Sequence, residues 1–295
     1  MTVLASAAVA PAGPFPSDPP ALDRDIRLVA SDLDGTLLTR QEQLSPRTIG
    51  AIEAAVAAGL RVVAATGRQR TQLPAGLATS GVSHAVASNG ALAIDLATGD
   101  VLFEELLAPS AASDIVTFLT AELEGVRFSA VRDQGGRHVA EPGYLELLTP
   151  RELTFWRVDT VDLAEIVAEP TLKLTARHPE LDADGLLDVL TGSGLGGFHA
   201  TTSGAPFLEI AGTGVTKATG VARLCALLGV DADGVLAAGD AKNDVELLAW
   251  AGIGVAMGNA VPEATAVADW TTATNDADGV ALAIEHVLST RMERR

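Results

Sequence analysis

Short apolar runs that end in polar residues recur along this chain of 295 residues. The first run, Ile26 to Ala30, leads almost directly into Asp32 and Asp34, and Gly35 ends the pattern. A run of this length that is closed by a glycine is typical of a buried strand. Because open α/β sheets bind their ligands at the carboxyl ends of their strands, we expect both aspartates at a ligand-binding position.

The same pattern returns in four further runs, which alternate with stretches of helical periodicity. Ser45 and Pro46 are typical of a helix start and Gly59 of a helix end, and a second helix should run from Thr216 to Leu228. This alternation predicts a parallel sheet with right-handed crossovers. The further runs are residues 60–65, before Thr66, Gly67 and Arg68; residues 85–87, before Asn89; residues 235–238, before Asp240, Asn243 and Asp244; and residues 253–256.

The pattern changes between residues 92 and 203, where short alternating runs suit an antiparallel or mixed sheet. We interpret this stretch as a second, inserted α/β domain, and residues 24–91 and 204–295 as one catalytic core. Within the insert, Thr171 to Thr175 alternates apolar and polar positions, and Lys173 is expected on the solvated face of that strand. Residues 1–23 are rich in Pro and Ala and are expected to form a disordered tail.

Composition narrows the possible partners. The formal net charge of −18 and an aromatic content of only 4% disfavour binding to nucleic acid or to an anionic membrane. An anionic substrate would therefore have to be attracted by local cations. The single cysteine, Cys225, lies in a stretch of helical periodicity and is expected to be buried. Neither a long apolar span nor a basic segment before the Ala-rich start is present, so a cytoplasmic location is expected.

The two neighbouring aspartates suggest a specific chemistry. Carboxylates this close repel each other, so the site should hold a cation or keep one group protonated. Such a pair can divide the work of phosphoryl transfer, because Asp32 can attack phosphorus while Asp34 handles the proton. An Asp-Gly turn without any chemistry is the alternative. Lys217, at the start of a helix, opposes the positive end of the helix dipole, which makes sense if a phosphate binds there.

Several segments together resemble the haloacid dehalogenase (HAD) superfamily of phosphatases. These are DLDGTLL, TGR, SNGA, GVTKATG and GDAKND, and the segments AMGNA and TNDADGVA are similar to the Cof-type branch, subfamily IIB. The resemblance covers most of residues 26–290. It implies a Rossmann-like, doubly wound parallel sheet as the core, an inserted α/β cap domain, a Mg²⁺ cofactor and a small phosphorylated metabolite as substrate.

The resemblance also implies a role for each motif residue. Asp32 would be the nucleophile that forms an aspartyl-phosphate, and Asp34 the general acid and base. Mg²⁺ would be bound by the carboxylate of Asp32, the backbone carbonyl of Asp34 and Asp240. Thr66 and Lys217 would bind the phosphoryl group, with Gly67, Arg68 and Asn89 as further candidates; Asp244 would support the metal through water and Asn243 would order the loop. A pairing of Arg68 with core carboxylates is an equally good interpretation.

Two alternatives remain open. A sugar phosphomutase would deliver the phosphoryl group to a bound sugar instead of water, and a non-enzymatic phospho-acceptor domain would keep it as a signal. An insert of about 110 residues has no place in a compact acceptor domain. Leu248 stands where the family commonly has methionine, and Lys242 is unusual within its motif; it could neutralise the carboxylates or face solvent. Candidates for substrate specificity, chosen by charge alone, are Arg127, Arg132, Arg137, His138 and Lys173.

Overall fold

The computed structural model describes residues 19–155 and 157–293, which form two β-sheets with helices packed against them. The strands are β1 (Leu28–Ser31), β2 (Arg61–Ala65), β3 (His84–Ala87), β4 (Leu92–Asp95), β5 (Val101–Glu104), β6 (Arg127–Arg132), β7 (Arg137–Ala140), β8 (Asp159–Thr160), β9 (Lys173–Arg177), β10 (Phe198–Thr201), β11 (Leu208–Gly212), β12 (Val235–Gly239), β13 (Ile253–Ala256) and β14 (Trp270–Thr271). The α-helices are α1 (Pro46–Ala57), α2 (Pro109–Glu122), α3 (Pro142–Glu146), α4 (Pro150–Phe155), α5 (Leu163–Ile166), α6 (Ala183–Thr191), α7 (Lys217–Leu228), α8 (Val245–Trp250), α9 (Pro262–Val267) and α10 (Gly279–Glu293).

The first sheet has eight strands in the order β14-β13-β12-β1-β2-β3-β4-β5. Its strands are parallel from β14 to β3, while β4 and β5 add an antiparallel hairpin at one edge. Successive residues of β1 point to opposite faces of the sheet. Val29 packs with α1 and α10 on one face, and Leu28 packs with α7 and α8 on the other. Helices therefore cover both faces, and the predicted doubly wound, Rossmann-like fold is confirmed.

Local signals place the helices that flank this sheet. The hydroxyl of Ser45 accepts a hydrogen bond from the backbone N–H of Thr48 at 3.0 Å and so caps α1. Thr216 caps α7 in the same way, accepting from the N–H of Thr219 at 3.2 Å. Gly229 ends α7 with a left-handed φ of 66°, which glycine adopts without strain. Lys217 is thereby fixed as the first residue of α7.

The second sheet has six strands in the order β10-β11-β9-β6-β7-β8, and only β7 and β8 pair in parallel. One of its faces is apolar and packs against α2 and α6 through residues such as Phe128, Leu174 and Ile210. The opposite face is polar, yet it is also buried. Its polar side chains are Ser129, His138, Lys173, Thr175, Arg177 and Glu209.

The two sheets do not divide the chain at the predicted positions 92 and 204. Strands β4 and β5 belong to the first sheet, and β11 belongs to the second. The antiparallel β4–β5 hairpin has the same alternation of apolar and polar residues as the insert, so the sequence pattern did not separate the hairpin from the insert. The chain passes from the first sheet to the second after β5 and returns between β11 and α7.

The predicted tail boundary at residue 23 is also wrong. Leu22 is buried in the core beside α10, and the ring of His286 lies 2.9 Å from the carbonyl oxygen of Pro20. Residues 1–18 lie outside the described residues. Cys225 is buried in α7, as expected. In the described part of the chain, the helices lack the length and hydropathy needed to span a membrane.

Candidate active site

Three carboxylates meet at the carboxyl ends of β1 and β12. Asp32 follows β1, while Asp240 and Asp244 lie in the loop and 3₁₀ turn that follow β12. One oxygen from each carboxylate lies within 4.8 Å of the others. Asp32 and Asp244 are buried and Asp240 is half-buried, so water screens their mutual repulsion poorly.

Lys217 is the cation within this cluster. Its Nζ lies 2.8 Å from Oδ1 of Asp32 and 2.7 Å from Oδ1 of Asp244, and the side chain is completely buried. Burial acts to lower the pKa of Lys217, but the carboxylates of Asp244 and Asp32 together raise it above its ordinary value. The ammonium is therefore charged, and three ionised carboxylates around it would leave an excess negative charge.

Burial, together with this excess of negative charge, raises the pKa values of two of the carboxylates. Burial raises the pKa of Asp32 well above its usual value, the charge of Lys217 opposes that rise, and Asp244 and Asp240 add to it. Burial also raises the pKa of Asp240 to about 6, with a hydrogen bond from Thr36 opposing the rise and the charge of Asp244 adding to it. A cluster of hard oxygen ligands with too much negative charge is the donor set that a divalent cation prefers.

The loop after β1 wraps around the Asp240 carboxylate. Gly35 has a φ of +75°, and a Cβ atom at this position would lie only 2.3 Å from Oδ2 of Asp240. The hydroxyl of Thr36 donates to Oδ1 of Asp240 at 2.7 Å. Asn259, in the loop after β13, donates to the carbonyl of Gly35 at 2.8 Å. Sequence reasoning gave Thr36 and Asn259 no role, although both lie in the segments that carried the resemblance.

Asp244 and Asn243 hold the loop after β12. Oδ2 of Asp244 accepts hydrogen bonds from the backbone N–H groups of Asp240 and Ala241, each at 3.0 Å. The amide of Asn243 donates to Oδ1 of Asn89 at 2.9 Å and so joins this loop to the one after β3. The structure thus brings both asparagines to the edge of the site, with Asn89 in a left-handed conformation at φ 55°.

Arg68 forms an ion pair with Asp34. Its Nε lies 2.7 Å from Oδ2 and its Nη2 2.5 Å from Oδ1 of Asp34, and Glu42 lies 3.4 Å from the same Nη2. Of the two interpretations open from sequence, the structure therefore shows the pairing with a core carboxylate. Thr66 is fully buried at the end of β2, and its hydroxyl accepts from the backbone N–H of Arg68 at 3.1 Å.

A cavity of about 810 Å³ lies between this cluster and the polar face of the second sheet. Of the five specificity candidates, His138 and Lys173 line it. The guanidinium groups of the other three bind elsewhere: Arg127 donates to the carbonyl of Val126, Arg132 to those of Glu165 and Ile166, and Arg137 pairs with Asp159 and Glu165. From the first sheet the lining includes Asp32, Asp34, Gly67, Arg68, Lys217 and Asn243; from the second it includes Val131, Thr175 and Glu209.

The expectation that Lys173 faces solvent is wrong. Only 6% of this residue is exposed, and its Nζ donates to the carbonyl of Gly67 at 2.8 Å and to Oε1 of Glu209 at 2.7 Å. The alternation along β9 correctly separates an apolar from a polar face, but the polar face is covered by the first sheet's loops. Glu209 was missed, because a single glutamate in the strand LEIAG carries no signal of its own.

Lys242 does not join the carboxylate cluster; its ammonium forms ion pairs near the surface. Its Nζ lies 2.7 Å from Oδ2 of Asp184 in α6 and 3.9 Å from Glu263. It therefore links the loop after β12 to a helix that packs on the second sheet. Leu248, which stands where the family commonly has methionine, is buried, and leucine is close to methionine in volume.

Known proteins are similar to this chain over most of its length. YxeH of Bacillus subtilis strain 168 is 30% identical over 276 residues, which cover 89% of this chain and 98% of YxeH. The 5-amino-6-(5-phospho-D-ribitylamino)uracil phosphatase YcsE of the same strain is 29% identical and covers 90% of this chain and 96% of its own. A solved phosphatase of the haloalkanoate (HAD) enzyme superfamily from Bacteroides thetaiotaomicron superposes with a TM-score of 0.74 at 26% identity, covering 91% of this chain and 97% of that chain. The profile of the haloacid dehalogenase-like hydrolases matches residues 29–284, and the chain belongs to that family.

Proposed function

We propose that this protein is a Mg²⁺-dependent phosphatase that hydrolyses a small phosphorylated metabolite through an aspartyl-phosphate on Asp32. One observation carries the proposal. The ammonium of Lys217 lies 2.8 Å from Asp32 and 2.7 Å from Asp244, beside a third carboxylate, at one side of a cavity of about 810 Å³. A nucleophile and a cation that can bind the transferring phosphoryl group are thus adjacent in a site of the right size.

The residues divide the reaction into two steps. An Asp32 carboxylate oxygen attacks phosphorus, the bond from phosphorus to the ester oxygen breaks, and Asp34 gives a proton to the departing alcohol. Asp34 then takes a proton from water as that water attacks phosphorus, which releases inorganic phosphate and restores Asp32. Lys217 and Thr66 bind the phosphoryl oxygens, with Gly67 and Asn89 at the edge of the same site.

The carboxylate cluster fits a divalent cation. Asp32, the backbone carbonyl of Asp34 and Asp240 would hold Mg²⁺, Asp244 would support it through water, and Asn243 would keep the loop in place. The raised pKa values of Asp32 and Asp240 are consistent with this assignment, because burial and the neighbouring carboxylates disfavour the ionised forms, which a divalent cation would stabilise. Bound there, Mg²⁺ would supply positive charge against the negative charge that develops on the phosphoryl group.

The ion pair of Arg68 with Asp34 has a mechanistic consequence. Asp34 must reach the leaving oxygen to act as an acid, whereas the guanidinium of Arg68 binds both of its carboxylate oxygens. We therefore infer that substrate binding separates this pair. Glu42, which lies 3.4 Å from Nη2 of Arg68, provides a second carboxylate partner for the released guanidinium.

Phosphate release tests the proposal directly. Wild-type protein is incubated with a panel of phosphorylated metabolites, including polyol and sugar phosphates, once with Mg²⁺ and once with EDTA. We expect release only with Mg²⁺, and a loss of at least about 1,000-fold in the Asp32→Asn variant, because an amide does not form an acyl-phosphate. Formation of a phosphate-ester isomer without release of phosphate would instead favour the mutase.

A further inference from the structure

The two carboxylate oxygens of Glu209 differ in their contacts. The residue lies on β11, is 3% exposed and lines the cavity. Its Oε1 accepts from Lys173 at 2.7 Å, but its Oε2 is buried and has no hydrogen-bond partner among the described residues. An unpaired buried acceptor is unfavourable, so a group that binds in the cavity and donates a hydrogen bond would remove this cost.

The free oxygen lies close to the proposed phosphoryl site. A Cβ atom added to Gly67 would lie 3.3 Å from Oε1 and 3.6 Å from Oε2 of Glu209. Gly67 directly follows Thr66, at the end of β2, and its carbonyl accepts from Lys173 at 2.8 Å. A leaving group that extends from this site toward the second sheet would therefore meet Glu209.

The surroundings of Glu209 favour a neutral donor. Lys173 lies against the same carboxylate and balances its charge, so the pair as a whole offers little attraction to a further cation. A carboxylate or phosphate on the leaving group would be repelled by the free oxygen, and an apolar group would leave that oxygen unpaired. A hydroxyl group satisfies the oxygen without either penalty.

We propose that Glu209 is a specificity-determining residue whose Oε2 accepts a hydrogen bond from a hydroxyl on the leaving group near the phosphoester, while Lys173 holds the carboxylate in place. The preferred substrates are then phosphate esters of polyhydroxylated alcohols. This inference rests on the proposed phosphatase function and adds to it the class of leaving group. Thr175, which pairs with Glu209 across β9 and β11, lines the cavity beside it.

The experiment compares matched substrates and one matched variant. We expect wild-type kcat/KM to be about 10- to 100-fold higher for glycerol 3-phosphate than for propyl phosphate, because only the former has hydroxyls. In Glu209→Gln the amide oxygen can keep the contact with Lys173, and an NH₂ group then replaces Oε2. The ratio should fall to within about threefold of one, while turnover of p-nitrophenyl phosphate changes little. Glu152→Gln, at another glutamate that lines the cavity, should leave the ratio unchanged.

The substrate preferences test the role of Glu209, whereas the presence of any Mg²⁺-dependent hydrolysis tests the proposed function. Equal kcat/KM for glycerol 3-phosphate and propyl phosphate in the wild type would overturn it, as would an unchanged ratio in Glu209→Gln. A wild-type preference for 2-aminoethyl phosphate over 2-hydroxyethyl phosphate would show that the donor is a cation and not a hydroxyl. If the variant fails to fold, these wild-type comparisons still decide. Absence of Mg²⁺-dependent hydrolysis of every ester by the wild type would instead count against the phosphatase itself.

Discussion

Asp32 and Asp34 are separated by one residue, but their surroundings differ. Asp32 is 4% exposed and lies against the ammonium of Lys217, whereas about half of the Asp34 side chain is exposed and it pairs with Arg68. A buried carboxylate beside a cation is suited to attack a phosphoryl group that the same cation binds. An accessible carboxylate is suited to exchange protons with a leaving group and with water. The environment thus supports the proposed division of roles.

The close approach of Gly35 to the Asp240 carboxylate should make Mg²⁺ binding sensitive to a substitution of this glycine. Gly35→Ala should raise the Mg²⁺ concentration needed for half-maximal phosphate release by about 10-fold, because the added methyl group displaces the Asp240 carboxylate. The change also strains a left-handed backbone at φ 75°.

Gly59→Ala is the matched control for this strain. Gly59 has a φ of +83°, but a Cβ atom there would meet nothing within 4 Å. Its substitution should lower the free energy of unfolding by about 1 kcal/mol, with no change in Mg²⁺ dependence. Equal Mg²⁺ dependence of the two variants would contradict the proposed contact with the metal ligand.

Single residues also show what sequence can and cannot predict. The proximity of Asp32, Thr66 and Asp240 was predictable because each follows a buried run, and strand ends in an α/β sheet converge on one edge. The partner of Arg68 was not found, because a long guanidinium side chain reaches several carboxylates and only the folded structure selects one. Glu209 was missed for a similar reason, since its importance depends on Lys173 and Gly67, which are distant in sequence.

At the scale of elements, the polar face of the second sheet forms a buried hydrogen-bond network. The hydroxyl of Ser129 lies 2.9 Å from Nε2 of His138 and 2.6 Å from the hydroxyl of Thr175, which in turn lies 2.8 Å from the hydroxyl of Tyr144. The alternation along β9 predicted such a polar face. It did not predict that the face would be covered, because an alternating pattern does not show what lies opposite.

His138 gives this network a pH dependence. Burial, together with the positive charges of Lys173 and Arg177, lowers the pKa of His138 from 6.5 to about 4. Between these values the unfolded chain binds a proton that the folded protein does not, so stability is lost as the pH falls below about 6.5. From about pH 7.5 to about pH 5, this group should cost roughly 2 kcal/mol of unfolding free energy.

Urea unfolding of the wild type and His138→Gln at the two pH values measures this contribution. Glutamine keeps a donor and an acceptor but does not titrate, so the variant should lose about 2 kcal/mol less than the wild type on acidification. The same pH dependence in both proteins would show that His138 does not titrate as the buried site requires.

At the scale of the whole molecule, three cations lie where an anionic substrate would need them, and each of them is paired with a carboxylate. The formal net charge is −18, yet Arg68, Lys173 and Lys217 all line the cavity between the sheets. Composition predicted this need for local cations. The boundary between the two parts of the chain was less predictable, because the β4–β5 hairpin and β11 resemble the strands of the opposite sheet in pattern.

Lys242 and Asp184 form an exposed ion pair between the two parts of the chain, and this pair is weak. The two side chains are 37% and 54% exposed, and such pairs contribute about 1 kcal/mol or less. Lys242→Ala should therefore lower the free energy of unfolding by less than about 1 kcal/mol and leave substrate affinity within about threefold of the wild type, as measured by steady-state kinetics. If the variant instead binds substrate more weakly by about an order of magnitude, closure of the cavity depends on this pair.

The central claim is that Asp32 accepts the phosphoryl group, and acid quenching during turnover tests it most directly. Wild-type protein and Asp34→Asn are mixed with Mg²⁺ and a substrate found in the release panel, quenched in acid, digested and analysed by mass spectrometry. We expect one phosphoryl group on the peptide that contains Asp32. With p-nitrophenyl phosphate, whose leaving group departs without a proton, its occupancy should be higher in Asp34→Asn, because that variant lacks the base for the second step. A phosphoryl group on a different residue, or continued turnover by Asp32→Asn, would contradict the account.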